Sequence, residues 1–235
     1  MVHDVFYAYG FTEPAGNFQE DNFKRGGIEE DPVIINIQKS DKQNGAYFNT
    51  PPDGQSGVLN LHIFTATNPN RDPALDNTLV IHELTHGLSS RLTGGARTKL
   101  CMAETESRGL SEGYSDMVAL IFTAKPEDTR NTNKVMGEYV KGNPGGVLYW
   151  NFVEKYGFSA NLHDATQKRG NIMFLQILVG TLMIQPCKLT FESARDAMLA
   201  ADYAYYGGIH KHAYPPRICQ TWSWFYIIIG PNDGQ

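Results

Sequence analysis

The 235-residue sequence has no long apolar run. The longest, residues 172–184, is interrupted by Gln176, Gly180 and Thr181 and falls short of the ~20 residues that cross a bilayer. It reads as a buried helix, and a membrane partner is not expected. Positive charge is also short: 20 Lys and Arg against 25 Asp and Glu leave a formal charge of -5 and a pI near 5.8. Without a basic field to attract phosphate backbones, a nucleic-acid partner is not expected either. Cysteine is scarce. Cys101, Cys187 and Cys219 are odd in number and far apart, which excludes a dense disulfide scaffold and a CxxC metal site and leaves the pairing and the compartment open. The opening string Met1-Val2-His3-Asp4-Val5-Phe6-Tyr7 has neither the basic nor the apolar stretch of a secretory leader. Taken at face value the chain has no signal peptide and reads as intracellular. Internal repeats and low-complexity tracts are missing too. Ser89-Ser90 has no Gly-x-Ser-x-Gly surround, so a serine hydrolase is not supported, and Gly94-Gly95 lacks the lysine and strand of a phosphate loop.

What is present is a folded chain's composition: 41% hydrophobic, 11% aromatic and 19% charged residues, enough for one large domain or two lobes. Residues 1–76 are rich in Gly, Asn, Asp and Pro, with strands expected at 32–37 and 58–65 and turns at Asn44-Gly45 and Asp53-Gly54. In the second strand Leu59, Leu61 and Ile63 alternate with Asn60, His62 and Phe64, which predicts two unlike faces. The period then changes. Asp76 or Asn77 is placed to cap a helix in which Val80, Leu84, Leu88 and Leu92 recur, ending before Gly94-Gly95. A second helix is expected from about Leu110 to Phe122, with Leu110, Met117, Val118 and Ile121 apolar and Pro126 beyond its end. Residues 125–146 are polar and hold Gly142-Asn143-Pro144-Gly145-Gly146, a loop or a join between lobes. Further helices are expected at 147–156, 171–185 and 190–206, the last with Thr190 as N-cap and Gly207-Gly208 as its stop. The expected fold class is α+β. Its parts are residues 1–95, an α+β part ending in the first long helix; 96–210, a helical part; and 211–235, a divergent apolar tail.

The first long helix carries His82-Glu83-Leu84-Thr85-His86. On a helix, positions 82 and 86 are ~40° apart around the axis and one turn along it, so both imidazoles reach one metal ion. Glu83 is offset by ~100°, where it serves as a general base for water rather than as a ligand. A chance occurrence of the pattern in a chain this size is about one in a hundred. Glu112, in Gly-Leu-Ser-Glu-Gly-Tyr-Ser-Asp on the next helix, offers a third ligand. Asp116 lies one turn beyond it, placed to accept the outer N–H of a ligand histidine and so fix its tautomer. Two imidazoles, a carboxylate and an open position point to zinc, which lowers the pKa of bound water from 15.7 toward ~7 and polarises a carbonyl. That is the chemistry of a metal-dependent peptide hydrolase. Calcium is undecided, since no Asp-x-Asp-x-Asp-Gly loop is present.

Other candidates take plainer readings. His62 is expected on a sheet face rather than on a metal, and His163, His210 and His212 are expected as solvated loop residues. Tyr203, Tyr205 and Tyr206 are expected to pack.

The strings Ile81-His82-Glu83-Leu84-Thr85-His86-Gly87 and Gly109-Leu110-Ser111-Glu112-Gly113-Tyr114-Ser115-Asp116 resemble the fungalysin family of extracellular metalloproteases. So do Phe18-Gln19-Glu20-Asp21-Asn22-Phe23, Thr50-Pro51-Pro52-Asp53-Gly54, Arg91-Leu92-Thr93-Gly94-Gly95 and Gln185-Pro186-Cys187, and the likeness runs over most of residues 1–210. It implies a thermolysin-like architecture, with a β-containing N-terminal subdomain and a mainly helical C-terminal one around a cleft floored by the zinc helix. It implies one zinc ion on His82, His86 and Glu112, Glu83 as catalytic base, and Asn44, Ala46 and Tyr47 as the edge that pairs with substrate backbone. Protein or peptide substrates, secretion, and an inhibitory propeptide in the family's precursor follow from the same likeness. Family members also carry a leader and a longer N-terminal sheet. Between Gly146 and Val147 they have further residues, including a segment of the form His-x-Ile-Gly-x-x-Trp-Ala whose histidine stabilises the oxyanion. This chain shows no equivalent, and beyond about Lys211 its ending differs, with the apolar string Trp222-Ser223-Trp224-Phe225-Tyr226-Ile227-Ile228-Ile229. A zinc-binding but catalytically impaired fragment is therefore the alternative to an active endopeptidase.

Overall fold

The turn-rich first part of the chain folds into short elements. In a computed structural model, which describes residues 1–132, 134–140, 143–144 and 148–210, helix α1 (Val2–Ala8) precedes strands β1 (Ile34–Lys39), β2 (Ala46–Asn49) and β3 (Val58–His62). The strand order is β1-β3-β2. β1 runs parallel to β3, and β2 runs antiparallel to it, with Ala46 opposite Leu61 and Asn49 opposite Val58. The two unlike faces expected for the 58–65 strand are not found. Leu59, Asn60, Leu61 and His62 are all buried, because the strand is central and short. Its polar side chains are provided for locally: Asn36 Nδ2 donates to Asn60 Oδ1 (3.1 Å), and the Tyr47 ring stacks on His62. β3 ends at His62, and Phe64 and Arg71 form an isolated bridge beyond it.

Helix α2 (Asn77–Leu92) begins where the Asp76 carboxylate accepts from the amides of Thr78 (3.0 Å) and Leu79 (3.4 Å), covering donors that a helix start leaves unpaired. Next comes α3 (Thr105–Thr123), which starts five residues before the expected Leu110. Short strands β4 (Val135–Met136) and β5 (Asn143–Pro144) follow, then α4 (Leu148–Tyr156), α5 (Gly170–Ile184) and α6 (Phe191–Tyr206). The expected caps of α6 are present: Thr190 and Ser193 form a reciprocal capping box, and Gly207 takes the left-handed conformation at φ 68°. As the composition of 172–184 predicted, α5 is buried nearly all round, with Ile172, Phe174, Leu175, Ile177 and Leu178 at the centre of the core. Among the described residues no helix is long and apolar enough to cross a membrane.

Two side-chain expectations are corrected. His210 is fully buried rather than solvated: its imidazole bonds the Asp202 carboxylate and is ringed by Phe152, Tyr156 and Tyr206. Tyr203 is 73% exposed rather than packed, and Tyr205 is also exposed, whereas Tyr206 lies against the core and its hydroxyl donates to Gln176. His163 is exposed, as expected, and His212 and Cys219 lie outside the described residues. Cys101 and Cys187 form a disulfide that ties the loop before α3 to the end of α5.

The least expected core residue is Arg91, on α2. Its guanidinium is 1% exposed and donates to Asp31 Oδ2 (3.1 Å), to Asp53 Oδ1 (3.4 Å), and to the carbonyls of Gly16, Pro51, Pro52 and Gln55. One side chain thus collects three loops of the N-terminal part onto α2. Burial pushes the Arg91 pKa down and that of Asp31 up, against the pull of their pairing, so the pair is costly to bury. Breaking it from one side is costlier still, because the two carboxylates then stay buried without a partner. Arg91→Met should lower unfolding free energy by ~3–5 kcal/mol in urea titrations, and a loss below about 1 kcal/mol would contradict this account.

Candidate metal centre

A helix presents residues four apart on one face, and α2 uses that spacing to turn His82 and His86 toward one point. Their Nε2 atoms are 3.2 Å apart. From α3, Glu112 brings Oε2 to 3.1 Å from His82 Nε2 and 3.6 Å from His86 Nε2. The three side chains form a group that could hold a metal ion. Ligand atoms at ~2.0–2.1 Å from a tetrahedrally bound zinc lie ~3.3 Å from one another, so these separations suit such an ion without rearrangement. Two imidazole lone pairs facing each other at 3.2 Å also require a cation or a proton between them.

The outer nitrogens of the two rings are held from α3. His82 Nδ1 donates to Asp116 Oδ1 at 2.7 Å, the contact expected of Asp116. His86 Nδ1 lies 2.9 Å from Ser111 Oγ and 3.3 Å from Ser115 Oγ, and Ser111 Oγ is 3.2 Å from Ser89 Oγ of α2. Ser111 and Ser115 were not singled out in the sequence. Their signal was available, since they stand four apart, and each immediately precedes one of the two acidic residues, Glu112 and Asp116, that reach His82. Gly87 lets the sheet come close: a Cβ there would stand 3.0 Å from a ring carbon of Phe48 and 3.1 Å from one of Phe18.

Glu83 faces the same space. It is 6% exposed and has no partner for Oε2 among the described residues. Burial raises its pKa, with the two histidines pulling the other way. A cleft of about 350 Å³ opens beside Glu83, His86 and Glu112, bounded by β2 and by the loop that contains Cys101. Ala46 and Tyr47 line it. Asn44 does not: it sits in the turn before β2 at φ 58°, where its Oδ1 accepts from the Thr65 amide (2.7 Å) and its Nδ2 donates to Thr65 Oγ1 (3.0 Å). His62 is separate from the group, with Nδ1 3.2 Å from the Lys39 carbonyl and 3.4 Å from Asp41.

The charges of the group are coupled. Burial opposes a charge on His82, but the bonds to Asp116 and Glu112 outweigh it and raise the pKa to about 10. Burial likewise opposes a charge on Glu112, and the two imidazoles overcome it, holding that carboxyl well below the usual range. The metal-free protein therefore keeps a proton on His82 throughout the neutral range, and an arriving cation must expel it. Divalent-metal affinity should rise about tenfold per pH unit between about pH 7 and pH 9, with about one proton released per ion. Titration calorimetry in buffers of different ionisation enthalpy reads both quantities, and a pH-independent affinity would count against the coupling. Asp116→Asn should weaken zinc binding by roughly 10–100-fold in a chelator competition, since it removes the acceptor that orients His82.

Comparison with known proteins bears on what such a group is for. The sequence profile of the family described as Fungalysin metallopeptidase (M36) matches residues 1–148 and 147–225. The chain is 37% identical over 268 aligned positions to the Extracellular metalloproteinase MEP of Pyricularia oryzae, covering 96% of this chain and 41% of that protein. It is 36% identical to Extracellular metalloproteinase 1 of Arthroderma gypseum and 34% identical to Extracellular metalloproteinase mep of Aspergillus fumigatus, with the same two coverages. The chain thus spans about two fifths of the length of these relatives. The alignment with the P. oryzae protein is longer than this chain's 235 residues, so that relative carries residues this chain lacks inside the matched stretch. The two profile matches meet at 147–148, beside Gly146 and Val147, where the sequence reading places those residues.

Proposed function

The chain belongs to the fungalysin metallopeptidase family, and on that premise we propose that it is a zinc-dependent endopeptidase acting on extended protein or peptide segments. His82, His86 and Glu112 would hold the ion, and the observation that carries this reading is the convergence of their three ligand atoms at 3.1–3.6 Å with Glu83 beside them. Zinc bound there would make a water acidic enough to attack at neutral pH and would polarise the peptide carbonyl. The remaining steps belong to the protein. Glu83 takes the proton of the attacking water on Oε2, which has no partner among the described residues, and delivers it to the leaving amine. Asp116, and Ser111 together with Ser115, keep the outer nitrogens of the imidazoles protonated, so that both Nε2 lone pairs face the ion. Ala46 and Tyr47 on the open edge of β2 offer backbone groups to an extended substrate, which would add as a further strand along the cleft.

The reading includes a thermolysin-like arrangement, with residues 1–95 and 96–210 as the two sides of the cleft. Extracellular action, which the relatives' names state for them, and a propeptide that covers the cleft in a longer precursor belong to it as well.

A second reading, a zinc-binding but catalytically impaired form, is favoured by one observation: the family profile matches in two pieces that meet at 147–148, next to the position where the resemblance implies the segment with the oxyanion histidine. Loss of one such donor costs ~2.7–4 kcal/mol of transition-state stabilisation. Zinc-loaded protein should cleave casein, chelators should stop the cleavage, and Glu83→Gln should lower it by roughly 10²–10⁴-fold while zinc stays bound. Stoichiometric zinc on folded protein without cleavage would overturn the first reading in favour of the second.

A further inference from the structure

Arg108 gives the cleft a charge that the mechanism above does not use. It stands on α3 one turn before Glu112, so both side chains project from the same face of the helix, and it lines the cleft with Tyr47, Leu100 and Met102. Its backbone is well anchored: the adjacent Ser107 is fully buried, and its hydroxyl donates to the Glu104 carbonyl (3.1 Å). Arg108 itself is exposed. Nη2 donates to the Ala103 carbonyl (3.2 Å), and the other N–H groups of the guanidinium have no partner among the described residues. The other charges lining the cleft are committed. Arg91 is locked between Asp31 and Asp53, and Glu83, His86 and Glu112 face the metal group.

We propose that Arg108 is a specificity-determining residue, whose guanidinium pairs with a carboxylate of the peptide lying in the cleft. The proposal rests on the peptidase reading and adds a substrate class to it. The fork of donors on arginine matches a carboxylate in a bidentate way, and one bond to a carbonyl of its own loop holds the fork without exhausting it. The carboxylate has two possible sources, an Asp or Glu side chain or a peptide's C-terminal group. A terminal carboxylate lies only on the leaving-amine side of the scissile bond, so the two are separable.

The test uses the zinc-loaded chain and a set of amidated peptides in which Asp or Glu replaces Asn or Gln at successive positions on either side of the scissile bond. A matched pair with free and amidated C-termini completes the set. At low salt, kcat/KM for the preferred carboxylate peptide should exceed that of its neutral partner by roughly three- to tenfold, and the ratio should shrink toward one in about 0.5 M salt. In Arg108→Gln the ratio should collapse, and Arg108→Lys should keep part of it. Preference confined to a side-chain position, or to the free C-terminus, supports the proposal and names the source. Equal rates for every pair, or a ratio unchanged in Arg108→Gln, overturns it. If no peptide is cleaved, neutral ones included, it is the peptidase reading that fails. Affinities measured by fluorescence anisotropy on zinc-loaded Glu83→Gln then decide the role of Arg108: tighter binding of the carboxylate peptides, lost in the double variant with Arg108→Gln, supports it, and equal binding overturns it.

Discussion

The docking of α2 against α3 is the constraint on which the rest depends. Two of the three converging atoms come from α2 and one from α3, so the group exists only if the helices meet in one register. A slip of one residue would rotate Glu112 by ~100° and carry it away from the histidines. Polar contacts that survive burial fix the register: His82 with Asp116, His86 with Ser111, and Ser89 with Ser111. At the far end of α2 the same task falls to a buried chain in which Tyr114 donates to Gln185 and Gln185 donates to Thr93. Apolar packing alone would tolerate sliding; these bonds do not, because a misplaced partner leaves a buried polar group unsatisfied.

Legibility in the sequence followed distance along the chain. His82, Glu83 and His86 could be read because one helix holds them at local spacing, and Asp116 because it repeats that spacing from Glu112. The caps Asp76 and Thr190 were readable for the same reason. What stayed hidden depends on partners far away in sequence. Arg91, in a stretch that reads as amphipathic, is buried because Asp31 and Asp53 come to it. The start of α3 at Thr105 has no side-chain cap to announce it, since Glu104 makes no capping bond. His210 looked like a loop residue until Asp202 and three aromatic rings enclosed it, and the pairing of Cys101 with Cys187 had no spacing rule to reveal it.

The electrostatics around α2 show two solutions to buried charge. At Arg91 the protein supplies its own counter-ions and adds carbonyl acceptors around the guanidinium. At His82 and His86 it gathers carboxylates from Glu83, Glu112 and Asp116 around two imidazoles, with Glu83 Oε2 unpaired among the described residues. The first is a structural joint, in which each guanidinium nitrogen has a partner. The second is a group that could hold a metal ion, which is the role the proposed function gives it.

The disulfide bears on the cleft as well as on the core. Cys101 belongs to the loop that forms one wall of the cleft, with Leu100, Met102 and Ala103, and its bond to Cys187 moors that wall to the end of the buried helix α5. Such bonds persist where the surroundings are oxidising and are lost in reducing cytosol. The shape of the cleft is thus tied to the compartment in which the chain matures. Material prepared in a reducing host would carry every side chain of the metal group and yet present a peptide with a wall no longer anchored at its base.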